Sequence, residues 1–230
     1  MKIVGFIGAF YKIDMILYVA KMLSITNKRV LIIDATTEQK SRYIVPTINP
    51  TKSYITTFQD IDIAIGFNDY DEIVKYLGKK ELEYDFILLD IDNHELFQNY
   101  GMVNAYKNYF VTSFDLYSIR KGLKILEQLN SPLNLTKIIF SRDILDEENQ
   151  YLDYLSLGYK VSWNNYRIYF PLERGDQTAI IDNQRLSRIS FKNLTSQYKE
   201  GLMYIAEELL GQSEVSNLTR ALRNFEKGDL

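Results

Sequence analysis

The sequence predicts one doubly wound α/β domain, a mostly parallel sheet with helices on both faces. Three observations predict it. Short apolar runs recur along the 230 residues, each continuous instead of alternating, as expected of parallel strands covered on both sides. Segments with helical apolar spacing separate those runs, which implies right-handed crossovers. No Pro-, Gly- or Ser-rich linker divides the chain and no internal repeat is found, so one domain is expected over 1–211, with a helical appendage over 212–230.

The elements follow in order. Lys2–Ile7 (KIVGFI) is the first strand, and Asp14–Ser24 the first helix, with Met15, Ile16, Val19, Ala20 and Leu23 on one stripe. Arg29–Asp34 (RVLIID) is the second strand. Asp71–Lys79 is helical through Ile73, Val74 and Leu77, and Phe86–Asp90 (FILLD) is the next strand. Tyr109–Ser113 (YFVTS) leads into a helix over Leu116–Leu129, carried by Ile119, Leu123, Leu126 and Leu129. Lys137–Ser141 (KIIFS) and Arg167–Pro171 (RIYFP) are the last strands. The helix Thr195–Leu210 closes the domain and stops at Gly211, a suitable C-terminal cap.

Composition narrows the function. An apolar fraction of 46% and a charged fraction of 25% are those of an ordinary soluble globular protein. A net charge of −3 argues against nucleic acid as the main partner. The chain has no cysteine, which excludes disulfides, thiolate metal sites and cysteine nucleophiles, and its single histidine, His94, excludes a multi-histidine metal centre. Nothing at the start resembles a secretion signal, and no apolar run reaches the length of about 18 residues that a membrane span needs. The cytoplasm is the expected location. The 18 tyrosines read as compositional bias.

The segment between the first strand and the first helix carries most of the chemistry: Gly5-Phe6-Ile7-Gly8-Ala9-Phe10-Tyr11-Lys12-Ile13-Asp14. A strand, a glycine turn and a helix N-terminus together form an anion site, because backbone N–H groups point at the ligand. A working phosphate loop adds a glycine before its lysine and a Ser or Thr after it to hold Mg²⁺. Here Tyr11 and Ile13 occupy those two positions around Lys12. Tyrosine in left-handed backbone would cost about 1 kcal/mol or more, and isoleucine offers a metal no oxygen.

On these residues the chain resembles the MinD/ParA family of P-loop ATPases. Gly8 and Lys12 match the loop's first glycine and its lysine, while Ile7 stands where that family has a signature lysine reaching the partner subunit's phosphates. Val30-Leu31-Ile32-Ile33-Asp34-Ala35 is similar to the strand whose aspartate orients the attacking water, and Tyr84–Asp90 to the Walker B strand, whose carboxylate holds Mg²⁺. Ser141 departs from the asparagine that reads adenine there. The resemblance therefore implies Gly8, Lys12 and Asp90 as nucleotide-binding residues, Asp90 as the metal carboxylate and Asp34 as the catalytic one. With the metal hydroxyl and close glycine gone, it implies a degenerate, non-hydrolysing member acting as a scaffold or positioning factor. Its settings would be pilus or secretion machinery, as in the TadZ/CpaE group, or partition or division. Such a protein requires no cofactor. The alternative is a slow, partner-activated ATPase using Lys12, Asp34 and Asp90 with ATP or ADP and Mg²⁺.

Each candidate also has a plainer reading. Lys12 can be a solvated relic, and Asp34 and Asp90 can cap strand ends. His94 is expected on a surface loop. In the appendage, Ser213 is a plausible N-cap, and Val215, Leu218, Leu222 and Phe225 fall at helical spacing with Arg220, Arg223 and Lys227 between them. That stripe would pack on its own domain or a protein partner, or lie on a membrane surface. A homodimer is the family habit, and without the lysine at Ile7 its contacts would be apolar ones from Ile7, Phe10 and Tyr11.

Overall fold

The computed structural model describes residues 1–48, 51–143 and 146–228. Its eight strands form one sheet in the order β3-β4-β2-β5-β1-β6-β7-β8, where β1 is Lys2–Ile7, β2 Val30–Ala35, β3 Tyr54–Phe58 and β4 Ile61–Ile65. The remaining strands are β5 Phe86–Ile91, β6 Lys107–Ser113, β7 Leu133–Ser141 and β8 Val161–Pro171. All pairings are parallel except β3 with β4. The helices are α1 Ile13–Ser24, α2 Ser41–Ile44, α3 Tyr70–Leu77, α4 His94–Asn99 and α5 Leu116–Glu127, followed by α6 Asp146–Leu155, α7 Arg174–Arg185, α8 Ser196–Leu210 and α9 Val215–Gly228. One core layer joins the sheet to α1, α7, α8 and α9, and the other joins it to α3, α4, α5 and α6.

The six predicted strands and four predicted helices are all present, with shifted ends. Thr195 caps α8 by accepting from the Tyr198 amide (3.2 Å), and Asp69 caps α3 through Glu72 (2.8 Å). The β3–β4 hairpin is absent from the sequence-based expectation. Its turn residues Gln59 and Asp60 take positive φ (48° and 65°) with no glycine to signal it, and β3 is a half-polar edge strand. The outer halves of β7 and β8 alternate polar and apolar, so a search for continuous apolar runs finds only their inner ends. α7 escapes a search for apolar stripes because its buried positions include Asp176 and Asn183 beside Ala179.

α1 is buried all round and not on one stripe: every residue from Ile13 to Leu23 is buried, Lys21 included. The Lys21 ammonium donates to the Gln59 carbonyl (3.0 Å) and lies 5.0 Å from the Phe225 ring. The appendage begins with a 3-10 turn, Gln212–Glu214, so Ser213 lies inside the turn instead of capping the helix. α9 then folds back on the domain. Leu218 is fully buried, Leu222 and Phe225 pack half-buried on the core, and Val215 is half-buried. Lys199–Glu226 (2.7 Å) and Lys28–Glu214 (3.2 Å) pin the helix at both ends.

Candidate functional site

The sheet's topology brings the loop and both carboxylates to one edge. β1 lies between β5 and β6, and β5 pairs with β2 so that Asp34 is in register with Asp90. Ligands of open α/β sheets bind at this carboxyl edge. Lys12, the residue before α1, has its ammonium 2.6 Å from Asp90 Oδ1 and donates to the Gly8 carbonyl at 2.8 Å. Both side chains are buried. Burial outweighs the pull of Lys12 on the Asp90 carboxyl, and neighbouring Asp34 adds to it, so the Asp90 pKa is pushed up to about 6.

Gly8 is required for a backbone reason. Its φ is +145°, its N–H donates to Ile91 O (2.9 Å), and a Cβ there would stand 2.1 Å from the Val111 carbonyl oxygen. Tyr11 escapes the expected strain, because the loop does not take positive φ at that position. Asp34 is fully occupied: Oδ1 accepts from the Thr36 amide (3.1 Å) and hydroxyl (2.5 Å), and Oδ2 from the Ser41 amide (2.9 Å). Asp92 likewise accepts from the Thr37 amide (2.9 Å) and hydroxyl (3.0 Å). The Asp-x-Thr pattern after β2 signals such a local turn in the sequence.

Other expectations are corrected. His94 opens α4 instead of lying in a loop; its Nδ1 is 2.8 Å from the Ile125 carbonyl and its ring stacks on Phe97. Ile7 is fully buried in the core and offers nothing to a partner. Phe10 turns inward to stack on Phe140 (4.8 Å between centroids), leaving Tyr11 exposed at 37%. The Ser141 hydroxyl donates to the Asp143 carbonyl (2.5 Å).

The space among Gly8, Lys12, Asp90, Asp92, Tyr117 and Lys121 is about 90 Å³, against the roughly 300 Å³ or more of ordinary ligand sites. Ile13 has no oxygen for a metal, and the Asp90 carboxylate is held by Lys12.

Behind the loop lies a larger space of about 420 Å³, between α1, α7, α8 and the ends of β7 and β8. Phe10, Phe140, Leu172, Ile180 and Tyr198 form its walls. Two carboxylates border it. Asp176 is used up by the Thr195 amide (2.7 Å) and hydroxyl (2.9 Å). Asp14 is 8% exposed and held by neutral groups, Gln184 Nε2 (2.8 Å) and the Tyr11 hydroxyl, and burial pushes its carboxyl up. No pattern in the chain points to Gln184, which sits 170 residues from Asp14.

Solved structures share this architecture. A plasmid partition protein of Borrelia burgdorferi bound to AMPPNP matches with a TM-score of 0.60 at 14% identity, over 91% of this chain and 98% of that one. The fold is that of the ParA and MinD ATPases. MinD of Aquifex aeolicus in complex with MinC matches at 0.58 and 16% identity over 92% and 97% of the two chains. An ATP complex of a Cyanothece McdA variant matches at 0.59 and 10% over 92% and 96%. No protein-family model and no curated protein sequence matches the chain. At these identities the ParA/MinD likeness is one of fold, and function has to be argued from the site.

Proposed function

We propose that this chain is a positioning or scaffold protein that has kept the ParA/MinD fold for its surfaces and does not turn over ATP. The observation that carries the reading is the buried Lys12–Asp90 pair seated on the Gly8 carbonyl, beside an isoleucine where the metal hydroxyl would be. Phosphoryl transfer is catalysed almost entirely by positioning and charge neutralisation, and here the lysine and the metal carboxylate neutralise each other. The machinery served would be of the kind the fold's relatives organise: partition or division apparatus, or a TadZ/CpaE-like pilus or secretion site. Calorimetry with Mg·ATP and Mg·ADP tests it. Micromolar affinity that disappears in Lys12→Met, with the fold intact by circular dichroism, would sink the pseudo-ATPase reading.

The register of Asp34 beside Asp90 favours one second reading, a slow ATPase that opens only when a partner draws Lys12 off Asp90. Phosphate release would then rise in the presence of that partner and vanish in Asp34→Ala.

Protein contacts are expected at the same edge, where Leu116 (52%), Tyr117 (65%) and Tyr11 stand exposed. A homodimer formed there would dissociate in Tyr117→Glu, as read by sedimentation velocity. No helix among the described residues is long and apolar enough to cross a membrane. Peripheral membrane contact through α9 would require its apolar stripe to leave the core, and vesicle co-sedimentation of the intact chain measures whether it does.

A further inference from the structure

We propose that the groove between the carboxyl end of β4 and helix α3 binds a small aromatic anion, its ring on Tyr76 and its carboxylate or phosphate between Lys52 and Lys75. None of the groove's residues belongs to the phosphate loop or to the α7 chamber, so the assignment stands apart from how either is used.

Three observations support it. The groove holds about 490 Å³, within the range of small-molecule sites, and it opens at the carboxyl edge of the sheet, where α/β folds take ligands. Its platform is an aromatic ring with firm support. Tyr76 is 51% exposed, and it packs edge to face on the buried ring of Phe67, with 5.3 Å between centroids. The Tyr100 hydroxyl donates to the Phe67 carbonyl (2.9 Å) and fixes that support. Gly66 keeps the wall bare: its φ is +84°, and a Cβ there would stand 2.3 Å from the Lys52 carbonyl oxygen.

The third observation is which polar groups remain. Acceptors at the groove are already served by the chain: Arg42 donates to the Lys52 carbonyl (2.7 Å), the Ser53 hydroxyl to the Gly66 carbonyl (2.5 Å), and the Asn68 backbone amide to the Glu72 carboxylate (2.8 Å). The cationic donors are not. Lys52 and Lys75 are both exposed, and neither forms an ion pair among the described residues. A guest must therefore bring negative charge and acceptors, together with a ring that stacks on Tyr76. A cation would meet two ammonium groups, and a neutral aromatic would gain only the ring contact.

Calorimetry on the full chain with naphthalene probes tests the assignment: 1-naphthaleneacetate and 1-naphthyl phosphate (anions), 1-naphthaleneethanol (neutral) and 1-naphthalenemethylamine (a cation). Both anions are expected to bind about 10-fold more tightly than the alcohol, and the amine most weakly. The order of the two anions decides between a carboxylate and a phosphate headgroup. Lys52→Met/Lys75→Met, a change at two exposed positions, should cost the anions about 10-fold while leaving the alcohol and the melting temperature unchanged. Tyr76→Ser should weaken the anions and the alcohol alike. Equal affinity for anions, alcohol and amine, no binding of any probe, or anion affinity indifferent to the lysine variant would each overturn it. So would anion affinity lost in Lys12→Met, which would place the probe at the phosphate loop. Mg·ATP calorimetry reads that loop separately, so either reading can fail alone.

Discussion

Two spaces flank the loop that ends in Lys12, and they have opposite character. On the sheet side, Gly8, Lys12, Asp90 and Asp92 border a space of only about 90 Å³, with Lys12 paired to Asp90 and Asp92 bonded to Thr37. On the α7 side, Phe10 stacked on Phe140, together with Tyr198, borders about 420 Å³, with one carboxyl that meets no cation among the described residues. The same stretch of chain closes one and walls the other. In a phosphate nest the lysine faces the ligand's phosphates. Here the charges meet directly, and the larger space lies on the loop's other side.

The largest expected effect comes from breaking the closed side's backbone. Gly8→Ala would drive a Cβ to 2.1 Å from the Val111 carbonyl, and a loss of at least about 3 kcal/mol in urea-monitored unfolding is expected. Lys12→Met should cost about 3 kcal/mol by leaving the Asp90 charge buried and alone, and Lys12→Met/Asp90→Leu should regain most of that. A double variant as unstable as the single one would show that the pair is not what holds the site shut.

The pH dependence sharpens the same point. With its folded value near 6 and an unfolded value near 4, Asp90 holds a proton more tightly in the folded chain. Its stabilising contribution is complete below about pH 4 and is lost as pH rises through about 6. Between those limits the wild type should lose about 2 kcal/mol relative to Asp90→Asn, measured by unfolding at each pH. The smallest effect belongs to the open side: Gln184→Ala removes one hydrogen bond to Asp14 and should cost only about 1 kcal/mol.

That contrast also marks what the sequence can disclose. The strands β1, β2 and β5 are legible because continuous apolar runs have one good solution in a doubly wound sheet. Gly8, Lys12, Asp34 and Asp90 are legible because they sit at strand ends near one another in a common pattern. The direct Lys12–Asp90 contact is not, since it depends on how the lysine after β1 folds back toward the neighbouring strand β5. Nor is the chamber. Its walls come from α1, β7, β8, α7 and α8, and α7 hides behind polar residues whose burial is arranged by partners as distant as Asp176 and Thr195. The hairpin at Gln59 and Asp60 is hidden by left-handed backbone at residues that do not advertise it.

α1 has a further consequence. Each residue from Ile13 to Leu23 meets protein on its way around the helix, touching in turn the loop, the chamber, the β3–β4 turn and α9. The helix therefore has no wet face on which substitutions could accumulate harmlessly, and a saturation mutagenesis of the chain should find it intolerant along its whole length. The frame that carries the loop is thereby held from every side, whichever residues the loop presents.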